Sequence, residues 1–486
     1  MPQNSTNYLM VQLFRSICDD YDSAAILDRQ GQVIHLKYET LADIGTLGLA
    51  AQTAMKYFPL KPGDLVVMND PYSGGTVLST VSFVGALNDQ LILIARQGFR
   101  PNLTLALKLD EEGLRIPPTP IAQACQLATP IIDAMSEHPL APENFKARVY
   151  EFSERFCHTV EKFRITEKLN GHLLKPARLN KYIAQMRELC LELMSEQSYG
   201  EASFESELTT GELLKVKLEH SSDGLKVSFS GTKTSKRMCL TDAATFGAVT
   251  GALLAFLGKP LSVNSGLLSI IHVESPLGCF LNAKYPSPTF LGMTEGTSFV
   301  AQSVLKTLKS LSTKNDVAES ATLPFLLTFE FSDGKKFFET LPGGAGASAT
   351  IPGGDALNFW IRNKLQTSVE EIERRFPVLI RQFGVRQGSG GQGIHRGGHG
   401  MSKEYEMLKP ATLAFLRTQE KSSRRGLHGA QDGDPSEIFI VTACGEKKFL
   451  TDTQGQIALN AGDKVFVSSC GGGGFGKATG SSPHIS

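Results

Sequence analysis

The sequence predicts an α+β protein with a multi-layer mixed α/β region at its N-terminus, a helical insert and a β-rich C-terminal domain. The chain has 486 residues, more than one hydrophobic core usually organises. Residues from about 128 to 198 are charged, poor in glycine and helix-forming, whereas short apolar runs bounded by turn residues lie before and after them. We therefore expect four segments, at 1–127, 128–200, 201–345 and 346–486.

The N-terminal segment combines predicted helices with predicted strands. Apolar residues at helical spacing over 9–17 predict an opening amphipathic helix. Apolar runs at 24–27 and 33–36 flank a turn that ends in glycine, which predicts a hairpin. A second helix is expected over 46–58, because two prolines and a glycine follow it directly. Further strands are expected at 64–68, 80–86 and 91–96.

The remainder of the chain is predicted to be mainly β structure with a few helices. A run of small residues over 245–257 predicts a buried helix that another element can approach closely. The residues at 368–376 predict a short helix, with Ser368 as N-cap and two glutamates in the first turn. A hairpin is expected from 325–331 to 336–341. Other strands are expected at 213–218, 225–229, 378–386, 401–408, 411–417, 438–441 and 464–468.

Composition argues against a nucleic-acid or membrane protein. Lysine plus arginine (49) equals aspartate plus glutamate (49), so no overall field attracts polyanions. The largest basic cluster, 421–425, is short and typical of a solvated loop. No apolar run reaches the roughly 18 residues of a membrane span, and residues 1–8 lack the apolar core of a signal peptide. The eight cysteines form no CxxC pair, and a reduced, cytoplasmic protein is expected.

A polar turn interrupts the predicted strand at 65–68 abruptly. Asn69-Asp70-Pro71 comes directly after the strand, and Gly74-Gly75-Thr76 closes the turn. Proline moves the residue before it out of helical geometry, and glycine reaches backbone angles that other residues avoid. A strand that ends in this way can present functional groups to a ligand at the edge of a sheet.

Glycine-rich segments lie at 343–346, 388–400 and 471–474. Their backbone N–H groups could hold a phosphate, but none matches the GxxxxGK[ST] nucleotide loop, and close chain packing is the interpretation we favour. His395 and His399 would share a face if they lay on a helix. The glycines between them favour a structural loop over a metal site.

Taken in order, these segments resemble the hydantoinase B/5-oxoprolinase family from about Asp22 to Gly476. Further matching segments are Asp22-Ser23, Asp28–Gly31, Glu112–Pro118, Ser228–Thr232, Asn264–Gly266, Gly343–Ala347 and Cys470–Gly476. Each segment alone is weak evidence, since glycine clusters are common in turns. Their shared order across nearly the whole chain identifies the family.

The resemblance implies ATP-dependent hydrolysis of a cyclic amide such as a hydantoin or 5-oxoproline. In such systems a hydantoinase A-type ATPase subunit phosphorylates the amide oxygen, and the B-type chain completes the hydrolysis with a divalent metal. ATP is therefore expected on the partner chain, and the protein is expected to work in an oligomer. Imidazole and carboxylate ligands would suit zinc, manganese or iron in that role.

This chain departs from the family pattern where metal ligands are expected. The family has a histidine directly after the Gly-Gly-Thr turn and an aspartate three residues later, where this chain has Val77 and Thr80. A His-His-Ala-Asp cluster ends the next strand in the family, where this chain has Gln97–Arg100. The histidine expected before a Gly-Ser motif is replaced by Asp43. The usual metal site is therefore missing from the sequence.

The polar groups that remain near these positions are the candidate site residues. We predict that the catalytic residues are Asp22, Asn69 and Asp70. Contacts to substrate or backbone are expected from Gly74, Gly75, Thr76 and Arg396. A hard cation could be held by Asp22, Asp43 and Asp70, although three carboxylates are not the usual ligand set of a first-row metal.

Two function classes stay open. The chain could be an enzyme subunit that acts on a cyclic amide, or a non-catalytic family member that serves as a scaffold or regulatory subunit. Convergence of the three aspartates would favour a relocated cation site and hence the first class. A closed apolar environment around Val77, Thr80 and Gln97–Arg100 would favour the second.

Overall fold

The computed structural model describes residues 5–99, 106–208, 211–311, 317–321, 325–357, 366–417 and 424–477. The predicted basic loop at 421–425 and the N-terminal stretch at 1–8 lie partly outside them. The chain forms two compact units. The first comprises 1–204 and 214–311, and the second comprises 205–213 and 312–486. The finer division into four segments stays a prediction.

A seven-stranded antiparallel sheet organises the first unit. Its strands are β1 (Ser23–Asp28), β2 (Val33–Lys37), β3 (Leu65–Met68), β4 (Thr80–Ala86), β5 (Leu91–Gly98), β6 (Thr119–Gln123) and β7 (Gln126–Leu127). They are arranged in the order β2-β1-β5-β4-β3-β6-β7. The hairpin of β1 and β2 and the three strands predicted after it are confirmed. Successive side chains in each strand point to opposite faces of the sheet. Helices pack on both faces, so the sheet separates two layers of helices.

One face of the sheet packs against the N-terminal and inserted helices. The helices of the first unit are α1 (Ser5–Cys18), α2 (Leu41–Tyr57), α3 (Thr129–Ser136), α4 (Phe145–Asn170), α5 (Pro176–Ser195), α6 (Asp242–Leu257), α7 (Ser265–Leu268) and α8 (Thr297–Ser310). Phe83 of β4 stacks on Phe152 of α4 with ring centroids 3.9 Å apart, and Phe14 of α1 lies in the same core. The helices predicted between 128 and 198 are present.

Helix α2 covers the opposite face and begins at Leu41, five residues before the predicted start. The Asp43 carboxylate in its first turn accepts a hydrogen bond from the Thr40 backbone N–H at 2.9 Å, which stabilises the helix N-terminus. The prediction started too late because Gly45 weakens the helical pattern. This glycine serves packing, since a Cβ there would lie 1.8 Å from the Ala243 carbonyl oxygen at the start of α6.

A four-stranded sheet follows the inserted helices along the chain. Its strands are β8 (Gly200–Glu207), β9 (Leu213–Ser221), β10 (Gly224–Ser228) and β11 (Ile271–Glu274), in the order β11-β10-β9-β8. Strands β9 and β10 are antiparallel, whereas β10 and β11 are parallel. A π-helical turn at Gly292–Gly296 leads into α8.

The second unit is built from two antiparallel sheets around one core. Its elements are β12 (Phe325–Phe331), β13 (Lys336–Leu341), α9 (Val369–Arg375), β14 (Val378–Arg386), β15 (Gly400–Met407), β16 (Ala411–Arg417), β17 (Glu437–Val441), β18 (Lys447–Phe449), β19 (Gln454–Leu459) and β20 (Lys464–Ser468). The sheets have the orders β13-β12-β16-β19 and β14-β15-β20-β17-β18. The predicted hairpin of β12 and β13 is confirmed, as is Ser368, whose hydroxyl accepts from the Glu371 N–H at the start of α9.

The glycine-rich segments of the second unit bond to one another. The Gly472 N–H donates to the Gly398 carbonyl at 2.9 Å, and the Gly398 N–H donates to the Ala345 carbonyl at 2.7 Å. These N–H groups are used within the fold, in agreement with close chain packing. Within the described part of the chain, no helix is long and apolar enough to cross a membrane.

Candidate functional site

The turn that follows β3 has the geometry that its sequence predicts. Asp70 begins a short 3-10 turn and accepts hydrogen bonds from the Tyr72 N–H at 3.1 Å and the Ser73 hydroxyl at 3.0 Å. Gly74 has a φ of +103°, and a Cβ there would lie 2.3 Å from the backbone nitrogen of Ala50 on α2. Glycine is therefore required at this position for both conformation and space.

Asn69 lies beneath this turn and is almost completely buried. Its side-chain amide donates to the carbonyls of Leu78 and Leu114 at 2.7 and 2.8 Å. Its side-chain oxygen accepts from the Ile116 N–H at 2.6 Å. Both amide donors are thus occupied by backbone groups, so the geometry gives Asn69 a positioning role between two chain segments.

Asp70 holds an arginine that reaches the surface. The Arg115 guanidinium donates to the Asp70 carboxylate at 2.7 Å, and their side chains are 37% and 4% exposed. The guanidinium carbon also lies 4.6 Å from the centre of the Tyr285 ring, and the rings of Tyr285 and Tyr72 are nearly perpendicular, with centroids 5.8 Å apart. A carboxylate and an aromatic face fix the direction of this partly exposed cation, which suits it to bind an oxyanion.

Glu112, three residues before Arg115, is a buried acid that titrates near neutral pH. Its carboxylate accepts from the Phe290 N–H at 2.8 Å and from the Thr289 hydroxyl at 3.3 Å. Burial raises the pKa of Glu112 to about 7, although these hydrogen bonds act in the opposite direction. A carboxyl group with such a pKa can both take and give a proton at neutral pH.

Replacing Glu112 by glutamine is expected to remove a pH dependence of stability. Because the folded-state pKa of Glu112 lies above its ordinary value of 4.5, its contribution is complete below pH 4.5 and is lost as the pH rises through about 7. The free energy of unfolding that is lost between low pH and pH values above the folded-state pKa is roughly 3 kcal/mol. Relative to wild type, Glu112→Gln should therefore be more stable at pH 8 than at pH 5.

Urea denaturation at several pH values measures this difference. Asp110→Asn, which alters an exposed carboxyl on the same segment, is the matched control. Parallel pH profiles for wild type and Glu112→Gln would contradict the assignment of Glu112 as the titrating group.

A second arginine, Arg96 on β5, is buried beside α2. It lies across from Ser23 of β1 and Ser82 of β4 in the sheet register, on the face that α2 covers. The guanidinium donates to the Asp43 carboxylate, and the side chains of this ion pair are only 2% and 5% exposed. It also donates to the Thr46 hydroxyl at 2.9 Å.

Two further acceptors complete the surroundings of Arg96. They are the Ser82 hydroxyl at 3.1 Å and the Gly74 carbonyl at 2.7 Å. Burial acts to raise the pKa of Asp43, but the Arg96 charge and the hydrogen bonds from Thr40 and Ser23 outweigh it and lower that pKa. Burial lowers the pKa of Arg96, and the Asp43 charge and hydrogen bond act against that shift.

The residues present do not fit the divalent metal that the resemblance implies. Val77 and Thr80, at the expected ligand positions, are buried. Asp22 is exposed, whereas Asp43 and Asp70 form separate ion pairs with arginines. Across the described residues, no group of three histidine, cysteine, aspartate or glutamate side chains is placed to hold a metal ion. Arg100, part of the region that replaces the expected cluster, lies outside the described residues.

Arg396 belongs to the second unit. Its guanidinium binds both carboxylate oxygens of Asp355, at 2.7 and 3.0 Å, and lowers the pKa of that carboxyl. The same carboxylate accepts from the His399 N–H at 2.8 Å, while the His399 ring accepts from the Gly390 N–H at 3.0 Å. His395 pairs with Phe475 through its backbone. These contacts make the glycine-rich segment a structural loop, as its composition favours.

The sequence marks the segment that contains Glu112 and Arg115 as a family motif but does not single out these two residues as site residues. The available signal was an acid and an arginine three residues apart in a family motif. Their roles depend on partners distant in sequence, including Asp70 and Phe290. Gly75 and Thr76, which were selected, complete the turn, and a Cβ on Gly75 would lie 2.1 Å from the Asn69 carbonyl oxygen.

Two solved structures share this fold. The ATP-dependent caprolactamase from Pseudomonas jessenii superposes with a TM-score of 0.80 at 20% identity, over 97% of this chain and 89% of that one. The nucleotide-free structure of acetone carboxylase superposes with a TM-score of 0.81 at 12% identity, over 98% and 76%. Both likenesses support the α+β fold class.

Relatives by sequence include proteins of different lengths. An uncharacterised protein of Methanocaldococcus jannaschii is 24% identical over 93% of this chain and 84% of its own length. The 5-oxoprolinase of Saccharomyces cerevisiae is 23% identical over 94% of this chain, which spans only 39% of that enzyme. The 5-oxoprolinase 1 of Arabidopsis thaliana is 28% identical over 56% of this chain and 21% of its own length.

The shared order of motifs predicts one family, and a direct comparison tests that prediction. A family model described as hydantoinase B/oxoprolinase matches residues 17–97 and 102–478. The chain belongs to the hydantoinase B/oxoprolinase family.

Proposed function

We propose that this chain is a B-type subunit that hydrolyses a cyclic amide of the hydantoin or 5-oxoproline type together with a hydantoinase A-type ATPase subunit. The observation that carries the proposal is the partly exposed Arg115, held by Asp70, on the same segment as the buried acid Glu112, whose pKa is raised to about 7. The names of the family, of the yeast and Arabidopsis relatives and of the caprolactamase support this class of substrate. The chain spans 39% of the length of the yeast enzyme.

Arg115 would bind the negative charge of the activated substrate. The ATPase subunit transfers a phosphoryl group to the amide oxygen, which makes the amide carbon electrophilic. The guanidinium can donate two parallel hydrogen bonds to the phosphoryl group or to the oxyanion that develops at this carbon. Asp70 keeps the guanidinium in place before the substrate arrives, so less orientation is lost on binding.

Glu112 would move the proton during ring opening. Water adds across the C=N bond of the phosphorylated amide, so that its hydroxyl group goes to the carbon and Glu112 carries the released proton to the ring nitrogen. Glu112 then takes the proton of the new hydroxyl group and gives it to the same nitrogen, as the carbonyl of the acyl phosphate forms and the ring C–N bond breaks. A second water hydrolyses the remaining acyl phosphate to a carboxylate and phosphate. The pKa of about 7 suits Glu112 to both halves of this transfer. Asn69 positions the segment through its backbone contacts, and exposed Asp22 takes no part in the proposed step.

Activity of the complex tests these roles. The chain is mixed with a hydantoinase A-type ATPase subunit, ATP and either 5-oxoproline or hydantoin, and ring-opened product and phosphate are both measured. Arg115→Met should lower product formation by at least about 100-fold, since it removes a charged transition-state contact. Glu112→Gln should lower it by about 100-fold. Arg115→Lys should fall between Arg115→Met and wild type.

Arg381→Met is the matched control, because Arg381 forms an exposed ion pair with Glu406 in the second unit. It should leave product formation at the wild-type level. Full activity of Arg115→Met would remove the basis of the proposed catalytic function.

A non-catalytic subunit is the second candidate function, and the buried pair of Arg96 and Asp43 favours it. These side chains are occupied with each other where the family pattern places a metal site. If the chain is a non-catalytic subunit, the Arg115→Met and Glu112→Gln proteins would still assemble with the ATPase subunit. They would also leave unchanged any activity that a catalytic homologue in the complex provides.

A further inference from the structure

Arg96 lies in a shell made of oxygen atoms. Its guanidinium donates to Asp43, to the hydroxyls of Thr46 and Ser82, and to the Gly74 carbonyl. Carboxylate, hydroxyl and carbonyl oxygens are the groups that surround a hard cation in a protein. Here the cation of that shell is a side chain of the protein.

This shell coincides with the region where the family pattern places metal ligands. Asp43 stands at one expected histidine position and contacts Arg96 directly. Gly74 begins the Gly-Gly-Thr turn that the family follows with the ligand positions held here by Val77 and Thr80. The guanidinium therefore joins α2 to the turn. A metal ion with one ligand from α2 and others from the turn would join the same two elements.

The Asp43 carboxylate has little capacity left for another ligand. One oxygen faces Arg96, and the other accepts from the Ser23 hydroxyl at 2.8 Å and from the N–H and hydroxyl of Thr40, each at 2.9 Å. A divalent ion at this position would also be repelled by the buried guanidinium charge.

We propose that Arg96 is a permanent internal cation that takes the structural place of the divalent metal, so that this unit needs and binds none there. The guanidinium ties the Gly74 carbonyl to α2 and thereby positions the turn that carries Asp70. This inference is independent of the proposed catalytic function, because it concerns metal content and stability.

Elemental analysis by mass spectrometry on wild-type protein, purified without chelator or affinity metal, tests the proposal first. The protein is then dialysed against Mn²⁺, Zn²⁺ or Co²⁺ and measured again. Fewer than about 0.1 ions per chain are expected in each case, because the part of the chain that the structure describes holds no group of three side chains placed to bind such an ion. EDTA should leave the melting temperature unchanged.

Variants of the pair test the structural role. Arg96→Met leaves a buried carboxylate without its cation and should lower the melting temperature by roughly 5–10 °C, with no recovery on adding those metals. Asp43→Asn/Arg96→Met removes both charges and should regain at least half of the loss. Arg381→Met, which removes an exposed guanidinium paired with Glu406, should lower the melting temperature by less than about 2 °C.

One bound metal ion per chain, together with a lower melting temperature in EDTA, would overturn the proposal. Wild-type stability of Arg96→Met would overturn it as well. The measurement on wild-type protein decides the question even where Arg96→Met is too unstable to purify.

Discussion

Replacing Gly472 by alanine is expected to destabilise the second unit by at least about 4 kcal/mol, or to prevent it from folding. A Cβ at this position would lie 2.1 Å from the Ala345 carbonyl oxygen and 2.4 Å from its carbon. Both atoms belong to the backbone, so no flexible side chain can move aside. The Gly472 carbonyl also accepts from the Gly391 N–H at 2.9 Å, which restricts movement of Gly472 itself.

The large effect follows from the array of glycine segments around Gly472. A Cβ on Gly344 would lie 1.9 Å from the Gly398 carbonyl oxygen, and one on Gly397 would lie 2.0 Å from the Gly472 carbonyl oxygen. These segments therefore approach one another at backbone distance. Any side chain between them separates backbone groups that are paired in the buried interior, and each lost pairing adds its own cost.

Gly384→Ala is the matched control, because no atom lies within 4 Å of its added Cβ and its φ is not in the left-handed region. That variant should change the free energy of unfolding by no more than about 1 kcal/mol. Urea denaturation followed by circular dichroism compares the two. Equal stability of the two variants would show that the glycine array tolerates side chains.

Sequence patterns predicted those elements whose causes are local. The hairpin of β12 and β13 depends on apolar runs around one turn, and α9 depends on Ser368 and the residues directly after it. The start of α2 differs from the prediction because Gly45 is explained only by the approach of α6, about 200 residues later. Close packing, rather than helix propensity, determines that start.

The candidate site was predicted in part for the same reason. The turn that carries Asp70 follows from its proline and glycines, and the structure places Asp70 in contact with Arg115. The ion pair of Arg96 with Asp43 cannot be predicted from the residues around Arg96, because Asp43 lies 53 residues earlier in the chain. The pKa of Glu112 depends on its burial near Phe290, 178 residues later. Such pairings are properties of tertiary structure.

Replacing Lys403 by methionine is expected to cost the second unit about 3–5 kcal/mol. Lys403 is fully buried, and its ammonium group donates to the Glu339 carboxylate at 2.6 Å. The hydroxyl of buried Tyr405 donates to the other oxygen of that carboxylate. Methionine fills a similar volume but leaves the Glu339 charge in the core without its cation, and an uncompensated buried charge is strongly unfavourable.

The double variant Glu339→Gln/Lys403→Met separates the cost of the unpaired charge from the worth of the ion pair. If the stability loss in Lys403→Met arises from the carboxylate left behind, the double variant should regain at least half of that loss.

Lys464→Met is the control, since Lys464 pairs with Glu404 at 3.1 Å and is 38% exposed. This variant should lose less than about 1 kcal/mol of stability. Similar losses for Lys403→Met and Lys464→Met in urea denaturation would show that water reaches the buried pair. A large single loss with recovery in the double variant would mean that the pair selects one arrangement of the core, because each charge is tolerated only when the other is present.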